Sequence, residues 1–175
     1  MQAAVPRNAG AMAAILGLDD AEIEAACREA AQGEVVEPVN FNAPGQVVVA
    51  GLKTAVERAI EAAKARGAKR AVLLPVSVPS HSSLMRGAAD KLAARLSQTP
   101  LRMPDVPAVY TVGVPTHESG EGIRRALKEQ LFSPVRWADT VRAMIAKGAT
   151  TLIECGPGKV LTMLNRRVEL RPDLT

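Results

Sequence analysis

The sequence has 175 residues and a formal net charge of +4 at neutral pH, from 22 Lys and Arg against 18 Asp and Glu. Apolar residues make up 47% of the chain and charged residues 23%, a globular composition that excludes wholesale disorder. No apolar run approaches the ~18 residues of a membrane-spanning helix, and the first ten residues lack the apolar core of a signal peptide. Two cysteines are too few for a disulfide framework or a zinc site. We therefore expect a cytoplasmic protein with no metal and no membrane partner.

Aromatic side chains are scarce, with two Phe, one Tyr and one Trp in the whole chain. Proteins that bind single-stranded nucleic acid stack the bases on aromatic side chains. The basic residues are spread along the chain, as on a solvated surface. We therefore expect no nucleic-acid partner.

The first half of the chain alternates strand and helix patterns. Asp19–Asp20 supplies the N-cap of a first helix, which Gly33 ends, and Pro44-Gly45 predicts a tight turn between two strands. The predicted elements are a strand at Ala11–Leu16, the first helix, strands at Val35–Asn42 and Gln46–Gly51, a helix at Thr54–Arg66 and a strand at Ala71–Val78. This strand-helix-strand-strand-helix-strand order is that of a ferredoxin-like βαββαβ fold.

The second half alternates helices with two further strand patterns, which is typical of a parallel α/β sheet. The predicted elements are a helix at Leu84–Leu96, a strand at Ala108–Val112, helices at Ile123–Leu131 and from Pro134 to Lys147, a strand at Thr150–Cys155 and a helix at Val160–Val168. Two parallel strands cannot cover both faces of a sheet. We expect these strands to lack neighbours, with self-association or partial disorder after residue 100 and the strongest hydrogen-exchange protection in residues 11–78.

His81 is the first candidate for chemistry, because it follows a buried strand pattern and lies between two pairs of turn residues. A histidine there could act as general base for a hydroxyl or thiol, or it could be an ordinary loop histidine with a satisfied hydrogen bond. Asn40 and Asn42 form a second candidate. Paired amides could orient a carboxylate or a water, or they could cap the hairpin.

Three weaker signals come from the rest of the chain. Gly156-Pro157-Gly158-Lys159 resembles a phosphate-binding loop but lacks Walker spacing, so a tight turn between strand and helix is the better interpretation. We expect Cys155 to be a small buried apolar residue and His117 to be solvated. No G-x-S-x-G motif occurs in the sequence, so a serine nucleophile on a strand-to-helix elbow is absent.

Taken together, five stretches resemble the bacterial malonyl-CoA:acyl carrier protein transacylases, in order and with compatible spacing, over Met1 to about Val168. They are GAMAAILGL (10–18), PVNFNAPGQVVVAG (38–51), PVSVPSHSSLM (75–85), QLFSPVRW (130–137) and ECGPGKVLTML (154–164). The resemblance implies an α/β protein with an α+β insert. A ferredoxin-like small subdomain would span residues 8–78, and the C-terminal part of a hydrolase-like α/β acyltransferase subdomain would span 79–175.

The resemblance also implies a function in fatty acid synthesis. A serine takes malonyl from coenzyme A as an ester, and the phosphopantetheine thiol of acyl carrier protein then removes it. His81 would be the general base and acid, the main-chain carbonyl of Gln130 would orient its ring, and Asn42 would line the acyl pocket. Malonyl-CoA and acyl carrier protein would be the partners, with no resident cofactor.

This sequence departs from the family pattern in what it lacks. The family's serine, its malonyl-binding arginine and its oxyanion-hole glutamine have no counterpart, so the chain resembles a C-terminal portion and we expect it to be inactive alone. An alternative function is a non-catalytic ferredoxin-like module that binds carrier protein. An RNA-recognition module with the same element order is disfavoured by the missing strand aromatics.

Overall fold

The computed structural model describes residues 5–6, 8–111 and 119–168. The strands within these ranges are β1 (Gly10–Leu16), β2 (Val36–Ala43), β3 (Gln46–Leu52) and β4 (Arg70–Leu73). The α-helices are α1 (Asp20–Ala31), α2 (Lys53–Ala65), α3 (Arg86–Ser97), α4 (Gly120–Glu129), α5 (Trp137–Ala146) and α6 (Val160–Val168). A 3-10 turn at Ser83–Met85 leads directly into α3. None of the helices in the described part combines the length and apolar character needed to cross a membrane.

The four strands form one antiparallel sheet in the order β2-β3-β1-β4. The hairpin predicted around Pro44-Gly45 joins β2 to β3, and Gly45 adopts a φ of 67° that its missing side chain permits. Gly51 is required for a different reason, because a Cβ there would overlap the carbonyl oxygen of Val35. The ferredoxin-like order predicted from the sequence is confirmed.

One face of the sheet packs against α1 and α2 and forms the main core. Side chains of all four strands meet the two helices there: Ala11, Ala13, Ile15, Val36, Phe41, Val47, Val49 and Ala71 from the sheet, and Ile23, Ala26, Cys27, Ala30, Ala55, Val56, Ala59, Ile60 and Ala63 from the helices. The many alanines allow both helices to approach the sheet closely. Asp19 caps α1 by accepting a hydrogen bond from the Glu22 N–H at 2.8 Å, as its position before the helix predicts.

Helices α5 and α6 attach to the β2 side of the sheet. Val135 hydrogen-bonds to the β2 backbone, donating to Val39 and accepting from Phe41. Helices α5 and α6 pack on each other and on Ala43 in a smaller apolar cluster, and the Trp137 indole donates to the Asn165 side chain at 3.0 Å. The sheet thereby fixes the position of the chain that leads from α4 into α5.

Helices α3 and α4 form a second local pair. Lys128 of α4 forms an ion pair with Asp90 of α3 at 2.9 Å. The Arg124 guanidinium donates to the carbonyl oxygens of Leu96 and Thr99, at the C-terminal end of α3, at 3.0 Å each. His81 lies in a turn shortly before α3, so this pairing brings the end of α4 close to the histidine.

Three predictions about strands and one about a cysteine are wrong. The described residues of Ala108–Val112 are not a strand, and Val112 lies outside the described residues; Thr150–Cys155 is not a strand either. The backbone N–H and C=O groups of a strand must hydrogen-bond to a neighbouring strand. Neither segment is paired with β1–β4, so neither forms a strand. The strand predicted at Ala71–Val78 ends at Leu73, before a proline-containing turn. Cys155 is exposed, because no element within the described ranges covers its segment.

The predicted subdomain boundary stays a prediction. The sheet and its two helices all lie between Gly10 and Leu73, inside the range 8–78. His117 lies outside the described residues.

Candidate active site

His81 lies on a tight turn between β4 and the 3-10 turn that begins α3. Pro79 is buried against Gly10 of β1, where a Cβ would overlap the proline ring. The buried Ser82 hydroxyl donates to the Pro79 carbonyl oxygen at 2.7 Å and closes the turn. The turn is therefore anchored to the sheet on its N-terminal side.

The backbone of His81 adopts a left-handed conformation, with φ of 65°. Such a conformation costs a residue with a side chain ~1–2 kcal/mol and is found where the surroundings enforce it, often at functional sites. Here the His81 N–H donates to the Leu131 carbonyl oxygen at 3.0 Å. The backbone is held by the same segment that contacts the ring.

The His81 ring contacts the C-terminal end of α4. Its Nδ1 lies 2.7 Å from the carbonyl oxygen of Gln130. The last carbonyls of a helix have no partner within the helix, so those of Gln130 and Leu131 are available to accept these two bonds. A carbonyl oxygen can only accept, so Nδ1 carries the proton and the neutral ring keeps its lone pair on Nε2.

This arrangement can perform acid-base chemistry at one defined atom. A neutral imidazole with Nδ1–H bound to an acceptor presents Nε2 as a base, and the imidazolium can later return the proton. The orienting group here is a main-chain carbonyl, contributed by Gln130 without its side chain. The structure thus brings together His81 and Gln130, two of the three site residues that the family resemblance implies.

A groove of about 510 Å³ borders the histidine turn. His81, Ser83, Glu37 and apolar residues of α1 and β2 line it. Two arginines stack over aromatic rings there. The Cζ atom of Arg86 lies 4.5 Å from the ring centre of Phe132, and that of Arg136 lies 4.3 Å from the ring centre of Phe41. Since Arg86 begins α3 and Phe132 follows the end of α4, the first of these contacts adds to the link between the two segments.

Comparisons with known proteins assign the chain to a family. The family model described as the acyl transferase domain matches residues 1–169. The chain belongs to the acyl transferase family. It is 59% identical to the malonyl CoA-acyl carrier protein transacylase of Escherichia coli K12 over 168 residues, which are 96% of this chain and 54% of that protein. The Bacillus subtilis enzyme of the same name is 44% identical over 172 residues, 98% of this chain and 54% of that protein.

Solved structures of this family share the fold. An acyl carrier protein S-malonyltransferase from Vibrio cholerae superposes with a TM-score of 0.96 at 54% identity, over 99% of this chain and 56% of that one. The malonyl-transacylase PlMCAT, solved in complex with the type II PKS acyl carrier protein AntF, has a TM-score of 0.94 at 54% identity, over 95% of this chain and 54% of that one. The acyltransferase fold expected from the resemblance is therefore confirmed. The chain spans about half the length of the curated relatives it matches.

Asn42 lies elsewhere in this acyl transferase chain. It is half-buried on β2, next to an irregularity in the pairing of β2 with β3 between Phe41 and Ala43. It is not among the residues that line the groove beside His81. Its predicted role in an acyl pocket stays a prediction.

Sequence reasoning missed Glu37, which contacts the His81 turn. One carboxylate oxygen of Glu37 accepts a hydrogen bond from the Ser83 N–H at 2.8 Å. The two residues are 46 positions apart, and a single glutamate on a strand carries no pattern that would reveal the contact. Only the fold brings them together.

The buried cysteine and the glycine-rich loop offer no competing chemistry. Burial, with Glu24 and Glu37 adding to it, raises the pKa of Cys27 to about 12, so its thiol stays protonated at neutral pH. The N-terminal amides of α6 that follow the loop already bind Glu154, whose carboxylate accepts from the Leu161 and Thr162 N–H groups at 3.1 and 2.9 Å. The position where a phosphate would bind is taken, which favours the tight-turn interpretation. Among the described residues, no group of three or more His, Cys, Asp or Glu side chains is placed to hold a metal.

Proposed function

We propose that this chain supplies the histidine for a malonyl transfer from malonyl-CoA to the phosphopantetheine thiol of acyl carrier protein. The observation that carries the proposal is the 2.7 Å contact between His81 Nδ1 and the Gln130 carbonyl oxygen, which leaves Nε2 free to act as a base. Family membership, and the names and the carrier-protein complex of the relatives, support the choice of substrate and partner.

The proposed reaction has two halves that use the same atom. In the first, His81 Nε2 takes the proton of a serine hydroxyl while the serine oxygen attacks the malonyl thioester. The thioester C–S bond then breaks, and the imidazolium returns its proton to the departing coenzyme A thiolate. In the second half, the carrier protein's thiol gives its proton to Nε2 and attacks the ester, and the serine leaves with that proton. The orientation of the ring by Gln130 serves both halves.

The serine in this scheme does not come from a G-x-S-x-G motif of these 175 residues, because none is present. In a serine-histidine pair the nucleophile and base act as a unit, and removing either typically lowers the rate by about 10⁴-fold or more. We therefore propose that the isolated chain does not transfer malonyl groups. Measurable labelling of carrier protein by the purified chain, from radiolabelled malonyl-CoA, would contradict this.

A chimera tests the role of His81. This chain replaces the matched 168 residues of the E. coli relative, so that the remainder of that protein completes the enzyme. We expect the chimera to transfer malonyl to carrier protein, and His81→Ala to lower kcat by about 10⁴-fold. His117→Ala, at the chain's other histidine, is the matched control and should leave kcat within about twofold. Full activity of the His81→Ala chimera would refute the proposal.

The alternative function is a carrier-protein-binding module without catalysis. The observation that favours it is the complex of PlMCAT with its carrier protein. Pull-down of holo acyl carrier protein by the isolated chain, repeated at higher salt to screen charged contacts, measures binding alone. Binding together with an inactive chimera would favour the module. Binding together with an active, His81-dependent chimera would favour the enzyme.

A further inference from the structure

The helix that follows the His81 turn lacks a cap from its own N-cap residue. Ser82 occupies the N-cap position of the 3-10 turn that runs into α3, where a serine hydroxyl ordinarily accepts a bond from a helix N–H. Here that hydroxyl donates to the Pro79 carbonyl oxygen instead, at 2.7 Å. The first N–H groups of the helix therefore need an acceptor from another part of the fold.

Glu37 provides that acceptor from the sheet. Its Oε2 accepts from the Ser83 N–H at 2.8 Å in a half-buried position. Glu37 pairs with Ala50 of the neighbouring strand, so its backbone position is fixed by the sheet. A carboxylate at a helix start is favoured both by the helix dipole and by the charge on the acceptor.

The left-handed backbone of His81 is held by hydrogen bonds on both of its sides. On one side, the carbonyl oxygens of Gln130 and Leu131 accept from the ring and from the backbone N–H. On the other, Glu37 holds Ser83, two residues later. Without Glu37, the link from the turn to β2 through Ser83 is lost.

We propose that Glu37 is a positioning residue for His81, and that its bond to Ser83 keeps the His81 Nδ1–H on the Gln130 carbonyl. The inference rests on the proposed function of His81. Glu37 does not act on the substrate in this scheme; it acts through the turn. Its test therefore reads the protonation of the ring, and not turnover alone.

The experiment is NMR of the 175-residue chain with ¹⁵N-labelled histidine, at about pH 8.5, well above the usual titration range of histidine. In the unaltered chain we expect a single His81 tautomer, protonated at Nδ1, and a slowly exchanging Ser83 amide. Glu37→Ala should speed Ser83 exchange by at least about tenfold and give averaged His81 ring-nitrogen signals, as for a mixture of tautomers. Glu37→Gln keeps an acceptor oxygen and should restore the single tautomer.

Glu34→Ala is the matched control. Its carboxylate also accepts side-chain bonds, at 2.7 to 2.9 Å, but from Thr54 and Arg58 of α2. It should leave the His81 tautomer unchanged even where it lowers stability. If Glu37→Ala does not fold, Glu37→Asp, which withdraws the carboxylate by one methylene, replaces it with the same expectation.

A single unchanged tautomer in the folded Glu37→Ala or Glu37→Asp chain would overturn the inference, even if Ser83 exchange speeds up, because Glu37 would then be only a helix cap. In the chimera, Glu37→Ala should lower kcat by about tenfold with KM unchanged. An inactive chimera with the tautomer change intact would refute the proposed function and leave this inference standing.

Discussion

Two regions of the chain differ in whether their apolar side chains are buried or exposed. Between Gly10 and Leu73, four strands and two helices bury their apolar side chains against one another. Between Thr150 and Met163, a segment patterned as a strand and the start of α6 leave large apolar side chains exposed: Ile153 at 81%, Val160 at 59% and Met163 at 58%. The first region buries its apolar side chains and pairs its strands, whereas the apolar side chains of the second are not covered by any part of the chain that the structure describes. The same kind of sequence pattern therefore yields a sheet in one place and an uncovered segment in the other.

The largest expected difference between the two regions is in thiol reactivity. Cys27 lies in the first region with its pKa raised to about 12 by burial, while Cys155 lies in the second and is exposed. At pH 8 a thiol with that pKa is almost entirely protonated and therefore a poor nucleophile. We expect alkylation with iodoacetamide, followed by peptide mass spectrometry, to modify Cys155 at least about 10²-fold faster, because its sulfur is exposed whereas that of Cys27 is buried and protonated. Comparable rates would mean that α1 opens readily and that the first region is not the well-packed one.

Substitution of one isoleucine in each region compares their contributions to the free energy of unfolding. Ile15 is fully buried in β1 and Ile153 is 81% exposed. Ile15→Ala should lower the free energy of unfolding by about 3 kcal/mol, from lost burial and the cavity left behind. Ile153→Ala should change it by less than about 0.5 kcal/mol. Urea denaturation followed by circular dichroism measures both, and a loss above about 1.5 kcal/mol at Ile153 would show that the segment is covered in solution.

The smallest expected effect is that of protonating Glu154, which accepts hydrogen bonds at the start of α6 in the second region. Hydrogen bonds from the Thr162 backbone and hydroxyl hold the pKa of Glu154 below its ordinary value. The ionised carboxylate of Glu154 therefore stabilises the folded chain at pH values above the unfolded-state pKa of about 4.3. This stabilisation is lost as the pH falls through the lower pKa of the folded state. The Thr162 and Leu161 amide signals should therefore titrate together, with a midpoint below about 4.3. Glu154→Gln should abolish that titration, and its persistence would assign the change to another group.

Most of the first region could be predicted because its signals are local. Asp19 before a helix pattern, Pro44-Gly45 between two strand patterns, and glycines at helix ends each specify a conformation within a few residues. The sheet then follows from the order of the elements. The prediction failed at Thr150–Cys155 because alternation and β-branched residues express only a preference, and a strand also needs a neighbour with which to pair.

The site was less accessible to sequence reasoning than the fold. The position of His81 after a strand gave a candidate, but the residues alone favoured an ordinary loop histidine, and only the family resemblance pointed to a catalytic role and to Gln130. The contact itself uses a main-chain carbonyl, which no side-chain pattern encodes. Glu37 was missed for a related reason, since its partner is the backbone N–H of Ser83.

The use of a backbone oxygen to orient His81 has a consequence for mutation. A carboxylate partner can be deleted by one nucleotide change, whereas every amino acid at position 130 carries the same carbonyl. Substitution of Gln130 by alanine removes its amide and keeps the oxygen that binds Nδ1. The vulnerable property is instead the length of α4, because an insertion or deletion of one residue there rotates the last carbonyls by about 100° around the helix axis. Mutations that abolish this contact would therefore be insertions or deletions within α4, and not substitutions at position 130.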